Sequence, residues 1–160
     1  VCKDFEHLCN LNNSKVTISI NLSAHDIKSS QLVAFIENIF SKYKVEPRLV
    51  EFEVTESAYL ENLDMANEFL THLRNIGSTV ALDDFGTGYS SLGYLSQISF
   101  NTLKIDKQFV EKLNISERST LVTKTIIEMA KQMKLQICAE GVETREQADF
   151  LIENGCHQLQ

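Results

Sequence analysis

The sequence predicts an α/β fold in which parallel strands alternate with helices, and two observations indicate it. Amphipathic helical patterns alternate with short apolar runs rich in β-branched residues, and short connections join them. Strands connected in this way form parallel βαβ units, which need helices to cover their faces. Such units usually build either a doubly wound sheet or a closed barrel.

Four stretches carry apolar residues at helical spacing and are predicted to be helices. They are Leu32–Tyr43, Leu63–Ile76, Leu121–Met133 and Glu146–Glu153. Pro47 prevents the first helix from continuing, and Gly77 is a typical residue for ending the second.

Five apolar runs lie between these helical stretches and are predicted to be strands. They are Val16–Leu22, Val50–Thr55, Thr79–Leu82, Thr102–Ile105 and Gln136–Ala139. No segment rich in glycine, serine or proline interrupts the alternation. We therefore expect one domain over residues 1–160, with no linker.

Composition and charge exclude several classes of protein. The net charge of -7 over 160 residues would repel the phosphates of a nucleic acid polymer, and no basic stripe offsets it. No apolar run approaches the roughly 18 residues of a membrane span, so no membrane contact and a cytoplasmic location are expected. The cysteines include no C-x-x-C pair, so neither a zinc site nor a redox motif is indicated.

Acidic, amide and lysine side chains follow the predicted strands. They are Asn21, Glu53, Glu56, Asp83, Asp84, Lys104, Asp106, Glu140, Glu143 and Gln160. In a parallel barrel the carboxyl ends of all strands meet on one face, so these side chains would converge. Clustered carboxylates repel one another unless cations neutralise them. Oxygen ligands without cysteine or histidine predict Mg²⁺, Mn²⁺ or Ca²⁺.

Structural explanations compete with this interpretation at several positions. Asn21 alone could be a turn former or a helix cap, and Glu53 could face solvent on a half-exposed strand. Glu56 could simply begin a loop, while Glu140 and Glu143 could cap the following helix.

Lys104 and the Asp83-Asp84 pair are harder to explain by structure alone. A lysine inside a barrel strand needs a partner, because a desolvated ammonium group is costly. Two adjacent carboxylates at a strand end precede two glycines, which permit a tight loop with unusual dihedral angles. These positions favour a functional site.

Five motifs together resemble the EAL family of bacterial cyclic di-GMP phosphodiesterases. They are NLSA from Asn21, EVTES from Glu53, DDFGTGYSSL from Asp83, KIDKQFV from Lys104, and AEGVET ending at Thr144. The resemblance implies a TIM-like (β/α) barrel, incomplete in this chain. It also implies hydrolysis of cyclic di-GMP to the linear dinucleotide pGpG with two Mg²⁺ or Mn²⁺ ions.

The resemblance also implies a role for each residue at a strand end. The ligands of one metal ion would be Asn21, Glu53 and Asp83. The second ion would lie among Asp83, Asp84 and Glu140. Lys104 matches the residue that holds and activates the attacking water.

The remaining positions match supporting residues of the family. Glu56 corresponds to a glutamate that anchors the Asp-Asp-Phe-Gly loop, and Asp106 would lie behind the ligands. Glu143 matches a supporting acidic residue of the catalytic group, and Gln160 a glutamine near the water.

One departure from the family pattern leaves alternatives open. The Glu-Ala-Leu tripeptide, expected on the first barrel strand, does not occur in the sequence. We expect a stretch of a longer, active enzyme with regulatory domains elsewhere in the parent chain, and a homodimer is compatible with this. The alternatives are a catalytically inactive cyclic di-GMP receptor or protein-interaction domain, and a barrel enzyme of another family.

Overall fold

A computed structural model describes residues 16–87, 100–113 and 115–160. The second half of the DDFGTGYSSL motif, residues 88–92, lies outside this described part. The chain divides into two compact units, residues 1–80 and residues 81–160. The single domain expected over residues 1–160 stays a prediction.

The first unit contains two parallel strands and four α-helices within its described residues. In chain order they are β1 (Ile18–Leu22), α1 (Ala24–Ile27), α2 (Leu32–Tyr43), a 3₁₀ turn (Pro47–Leu49), β2 (Val50–Thr55), α3 (Glu56–Leu60) and α4 (Leu63–Asn75). Strands β1 and β2 pair in parallel, with Asn21 opposite Glu53. Helix α4 begins where the Asn62 side chain accepts a hydrogen bond from the Met65 amide.

The second unit contains four parallel strands, of which the first, β3, starts two residues before the unit does. The elements are β3 (Thr79–Phe85), β4 (Thr102–Ile105), α5 (Lys107–Glu111), α6 (Glu117–Gln132), β5 (Gln136–Ala139), α7 (Arg145–Asn154) and β6 (Gln158–Leu159). Strand β4 pairs with β3 and β5, and β5 pairs with β6, all in parallel. Leu103, Ile105, Ile127, Ile137 and Leu151 form the fully buried centre of this unit.

These elements confirm the predicted alternation of strands and helices. Helix α6 starts at Glu117 rather than Leu121, because the Ser116 side chain caps it. Leu121 and Val122, predicted to be on its apolar face, are exposed, whereas Ile126 is buried as predicted, together with Ile127 and Ala130. Across the described residues, no helix combines the length and hydrophobicity needed to span a bilayer.

Candidate metal centre

A bulge in strand β3 determines where the adjacent aspartates lie. Leu82 pairs with Leu103 and Phe85 with Ile105, so two residues of β3 lie opposite the single Lys104 of β4. Asp84 adopts a left-handed conformation with φ of 53°, and its amide donates to Asp83 Oδ1 at 3.0 Å. In a regular strand, successive side chains point to opposite faces. The bulge interrupts that alternation, and both aspartates reach the same cluster of carboxylates.

A tight turn closes the bulge and requires a glycine. The amide and the hydroxyl of Thr87 both donate to the Asp84 carbonyl, at 3.2 and 2.9 Å. Gly86 has φ of 88°, and a Cβ added there would lie 2.8 Å from Phe109 Cζ. Any other residue would be strained and would also collide with the Phe109 ring.

Lys104 is a buried charge that lies between two carboxylates. It is only 4% exposed in the middle of β4. Its Nζ lies 2.6 Å from Glu140 Oε1 and 3.3 Å from Asp83 Oδ1. The prediction that this lysine needs a partner is therefore confirmed, since charge-assisted hydrogen bonds offset its lost hydration.

Glu140 reaches the same place from the end of β5. Its amide donates to the Ile105 carbonyl at 3.0 Å, which continues the β4–β5 pairing past the last strand residue. The chain then turns at Gly141, with φ of 68°, where an added Cβ would lie 2.6 Å from Lys107 Cβ. The close packing of helix α5 therefore determines the path of the chain after Glu140.

The carboxylates of Asp83, Asp84 and Glu140 form a cluster that fits a hard cation. Each contributes one oxygen, and these oxygens lie within 4.8 Å of one another. Burial raises the pKa of Asp84, and the nearby Asp83, Asp106 and Glu140 raise it further. Three oxygen donors that carry excess negative charge suit Mg²⁺, Mn²⁺ or Ca²⁺ better than zinc or copper.

The raised pKa of Asp84 predicts a stability effect in protein stripped of metal. A carboxyl that binds protons more tightly when folded adds stability below its unfolded pKa, and this stability is lost as the pH rises through the folded pKa. An asparagine at this position has no carboxyl group to deprotonate, so Asp84→Asn does not lose this stability as the pH rises. We expect a melting temperature a few degrees higher near pH 7, and a gain that shrinks below about pH 4.

Thermal unfolding in the presence of a chelator, repeated from acid to neutral pH, measures this effect. Asp149→Asn makes the same chemical change on an exposed residue of α7 and should leave the melting temperature nearly unchanged. A lower melting temperature for Asp84→Asn at neutral pH would contradict the prediction.

Asp106, Glu143 and Gln160 are the other predicted site residues of this unit. Asp106 caps α5 by accepting from the Gln108 amide at 2.9 Å, and its carboxylate is close enough to Asp84 to help raise the pKa of that residue. The Gln160 amide donates to the Ala139 carbonyl at 2.8 Å, directly before Glu140. The side chain of Glu143 is exposed. The roles assigned to all three stay predictions.

The first unit contains three other predicted site residues. Glu53 is 6% exposed, so the alternative that it faces solvent is wrong. Glu56 is 2% exposed and is the first residue of helix α3, so it does not begin a loop. Asn21 is exposed and lies in a concavity of about 550 Å³ with Ser23, Thr55 and Ser57. The metal-ligand and loop-anchoring assignments of Asn21, Glu53 and Glu56 stay predictions.

The sequence analysis did not identify the residues that pack behind the carboxylates. Thr144, rather than Glu140 or Glu143, caps α7, and Gln147 completes the capping box. The spacing of threonine and glutamine is a recognisable signal for such a box. No sequence pattern indicates that Phe109 and Lys107 contact Gly86 and Gly141.

The chain is similar to known proteins along its whole length. A family model described as the EAL domain matches residues 1–160. The cyclic di-GMP phosphodiesterase NbdA of Pseudomonas aeruginosa is 35% identical over 159 residues, which are 99% of this chain and 20% of that protein. The chain spans about a fifth of the length of the curated relatives that it matches.

Solved structures agree with this assignment. The PaMucR phosphodiesterase in complex with c-di-GMP superposes with a TM-score of 0.91 and 34% identity, over 99% of this chain and 64% of that one. The manganese and cyclic di-GMP complex of Klebsiella pneumoniae BlrP1 gives a TM-score of 0.87 and 27% identity, over 99% and 41% of the two chains. The fold class is therefore the predicted TIM-like α/β barrel, of which this chain is an incomplete part, and the chain belongs to the EAL domain family.

Proposed function

We propose that this chain is part of a metal-dependent phosphodiesterase that hydrolyses cyclic di-GMP to the linear dinucleotide pGpG. The convergence of Asp83, Asp84 and Glu140 around the buried Lys104 is the observation that carries the proposal. The printed names of NbdA and PaMucR as phosphodiesterases support the substrate class.

The carboxylate cluster supplies the ligands for Mg²⁺ or Mn²⁺. Asp83, Asp84 and Glu140 offer oxygens close enough together to share a cation. Burial and the repulsion of neighbouring carboxylates, which both raise the pKa of Asp84, favour an added positive charge. A bound divalent ion supplies charge that offsets the phosphate and lowers the pKa of a coordinated water. A second ion, with Asn21 and Glu53 among its ligands, belongs to the same proposal.

Lys104 and Glu140 hold the attacking water. Lys104 Nζ donates hydrogen bonds from a fixed, buried position, and the carboxylate of Glu140 lies 2.6 Å from it. A water that lies beside both groups can be oriented by the lysine and can give a proton to the glutamate. Because both groups are held by strands or by the ends of strands, little reorganisation is needed when charge develops on the phosphate.

The bond changes of this reaction balance without any further reactant. The water oxygen forms a bond to phosphorus, and the bond between phosphorus and one ribose 3′ oxygen breaks. That oxygen takes up one proton and becomes a hydroxyl. The ring opens to pGpG, which carries the new oxygen on its 5′ phosphate.

The test is hydrolysis by the full-length protein that contains these residues. With Mg²⁺ or Mn²⁺, cyclic di-GMP should be converted to pGpG, and water labelled with heavy oxygen should place the label on the 5′ phosphate. A chelator should stop the reaction. If the protein binds cyclic di-GMP but does not hydrolyse it with either ion, the enzyme proposal fails and the receptor alternative replaces it.

We also propose a setting for this activity. The chain spans about a fifth of the length of its curated relatives, which supports regulatory domains elsewhere in the parent protein. The acidic charge and the substrate class support action in the cytoplasm. Fractionation of the cells that make the protein, with antibody detection, would test the location.

A further inference from the structure

We propose that helix α5 is a support helix that keeps the two carboxylate-bearing loops at a constant separation, with Phe109 and Gln147 as positioning residues. We use the name Asp83 loop for residues 83–87, the bulged end of β3 with the turn that follows it, and Glu140 loop for residues 140–144. The inference rests on the proposed function, because it assigns these residues to the positioning of the metal ligands.

Phe109 connects the support helix to the Asp83 loop. A Cβ added at Gly86 would lie 2.8 Å from Cζ and 2.9 Å from Cε2 of its ring, so the ring packs directly on the glycine backbone. Gly86 follows the bulge that carries both aspartates. The ring therefore limits how far this loop can move toward α5.

Lys107 connects the same helix to the Glu140 loop. An added Cβ at Gly141 would lie 2.6 Å from Lys107 Cβ and 3.4 Å from its Cα. Here the backbone and the first side-chain carbon make the contact, so side-chain rotation cannot relieve it. One turn of helix thus packs against both loops, because Lys107 and Phe109 are only two residues apart.

Gln147 joins the Glu140 loop to the other end of the support helix. Its Oε1 accepts from the amides of Glu143 and Thr144, at 2.9 and 3.0 Å. Its Nε2 donates to the Val110 carbonyl of α5 at 3.2 Å. The two ends of one amide side chain therefore hold the loop and the helix together.

The support helix is also held from behind. The hydroxyl of Thr123, a fully buried residue of α6, lies 3.3 Å from the Phe109 carbonyl and donates to it. Asp106 caps the start of α5 by accepting from the Gln108 amide at 2.9 Å. A helix of five residues is not stable alone, so these contacts determine its position.

The consequence for the site is preorganisation. Asp83 and Asp84 come from one loop and Glu140 from the other, so their oxygens stay together only if the loops do. Residues that orient metal ligands from behind commonly change metal affinity or activity by about 10- to 100-fold when they are altered. Loss of the support should weaken metal binding and turnover more than nucleotide binding.

Gln147→Glu is the sharpest variant for this test. A glutamate retains the acceptor for the amides of Glu143 and Thr144, so the cap of α7 is preserved. It loses the donor to the Val110 carbonyl and places two oxygens against each other. In the full-length protein we expect Mn²⁺ affinity to fall about tenfold and kcat to fall by a similar factor, with KM changed less than about threefold.

Phe109→Leu tests the other contact by removing part of the ring that packs on Gly86. The same losses are expected, of about the same size. Matched controls are Gln132→Glu and Phe35→Leu, which make the same chemical changes at exposed positions. Mn²⁺ affinity is measured by paramagnetic resonance of the free ion, so the readout does not depend on turnover.

Hydrogen exchange tests the support helix independently of whether the protein hydrolyses cyclic di-GMP. In Gln147→Glu, the Thr87 amide of the opposite loop should exchange faster, although Gln147 makes its hydrogen bonds to the Glu140 loop and to α5. If the Thr87 amide exchanges faster in Gln147→Glu but the protein does not hydrolyse cyclic di-GMP, the support-helix proposal stands and the proposed enzyme function fails. Unchanged Thr87 exchange together with unchanged Mn²⁺ affinity in both variants would overturn the support helix, whatever the activity.

Discussion

Lys104→Ala is expected to lower the turnover of cyclic di-GMP at least about a hundredfold while nucleotide affinity changes less than about tenfold. Lys104 is buried between Glu140 and Asp83, where its Nζ can hold a water against the phosphate. Such fixed donors act mainly on the transition state, so their loss lowers kcat more than it weakens binding. Glu140→Gln should behave similarly, with loss of metal adding to its effect.

Steady-state kinetics and nucleotide binding on the full-length protein, both at saturating Mg²⁺, measure these two quantities. Removing Lys104 also leaves the buried Asp83 and the half-buried Glu140 without their cationic partner, so the folded fraction of the variant is checked first. Lys124→Ala, on the exposed face of α6, is the matched control and should leave both quantities unchanged. An equal loss in turnover and affinity for Lys104→Ala would reject its assignment to the chemical step.

Mg²⁺ or Mn²⁺ should raise the melting temperature of the domain, and Asp83→Asn should abolish most of this increase. An ion that binds only the folded state stabilises it by about 2.7 kcal/mol when its free concentration is a hundred times Kd. For a domain of roughly 150–250 residues this corresponds to about 5–10 °C. Asp83 belongs to the carboxylate cluster, so an amide in its place removes one charged ligand.

Thermal unfolding with and without millimolar metal, in the full-length protein, makes the measurement. Asp149→Asn should keep the full metal-dependent increase, because Asp149 lies exposed on α7. If millimolar Mg²⁺ and Mn²⁺ leave the melting curve of the unaltered protein unchanged, these carboxylates do not form the predicted metal site.

The longer elements could be predicted because their apolar periodicity and the residues that end them indicate the same bounds. Helix α2 has the predicted bounds, Leu32–Tyr43, and strands β2 and β4 also match their predictions. Helices of four or five residues, α1, α3 and α5, were not predicted, because about one turn is too short to show an apolar period. The apolar face of α6 was assigned correctly at Ile126 but wrongly at Leu121 and Val122, because these two apolar residues fit the helical spacing and yet are exposed.

The fold class and the chemical types of the site residues could be predicted from the sequence alone. A strand that ends in Asp83-Asp84, a lysine within β4 and a glutamate after β5 are visible in the chain and indicate an oxygen-ligand site. The same motifs carry the resemblance to the EAL family, and the family model that matches residues 1–160 supports it.

The way in which the carboxylates and the lysine come together could be seen only in the tertiary structure. The extra residue of the β3 bulge brings Asp83 and Asp84 to one cluster, and strand register places Lys104 beside it. The contact between Phe109 and Gly86 joins residues that are far apart in sequence, and no local pattern encodes it. Close packing determines such contacts, because a Cβ at Gly86 would have no room beside the ring.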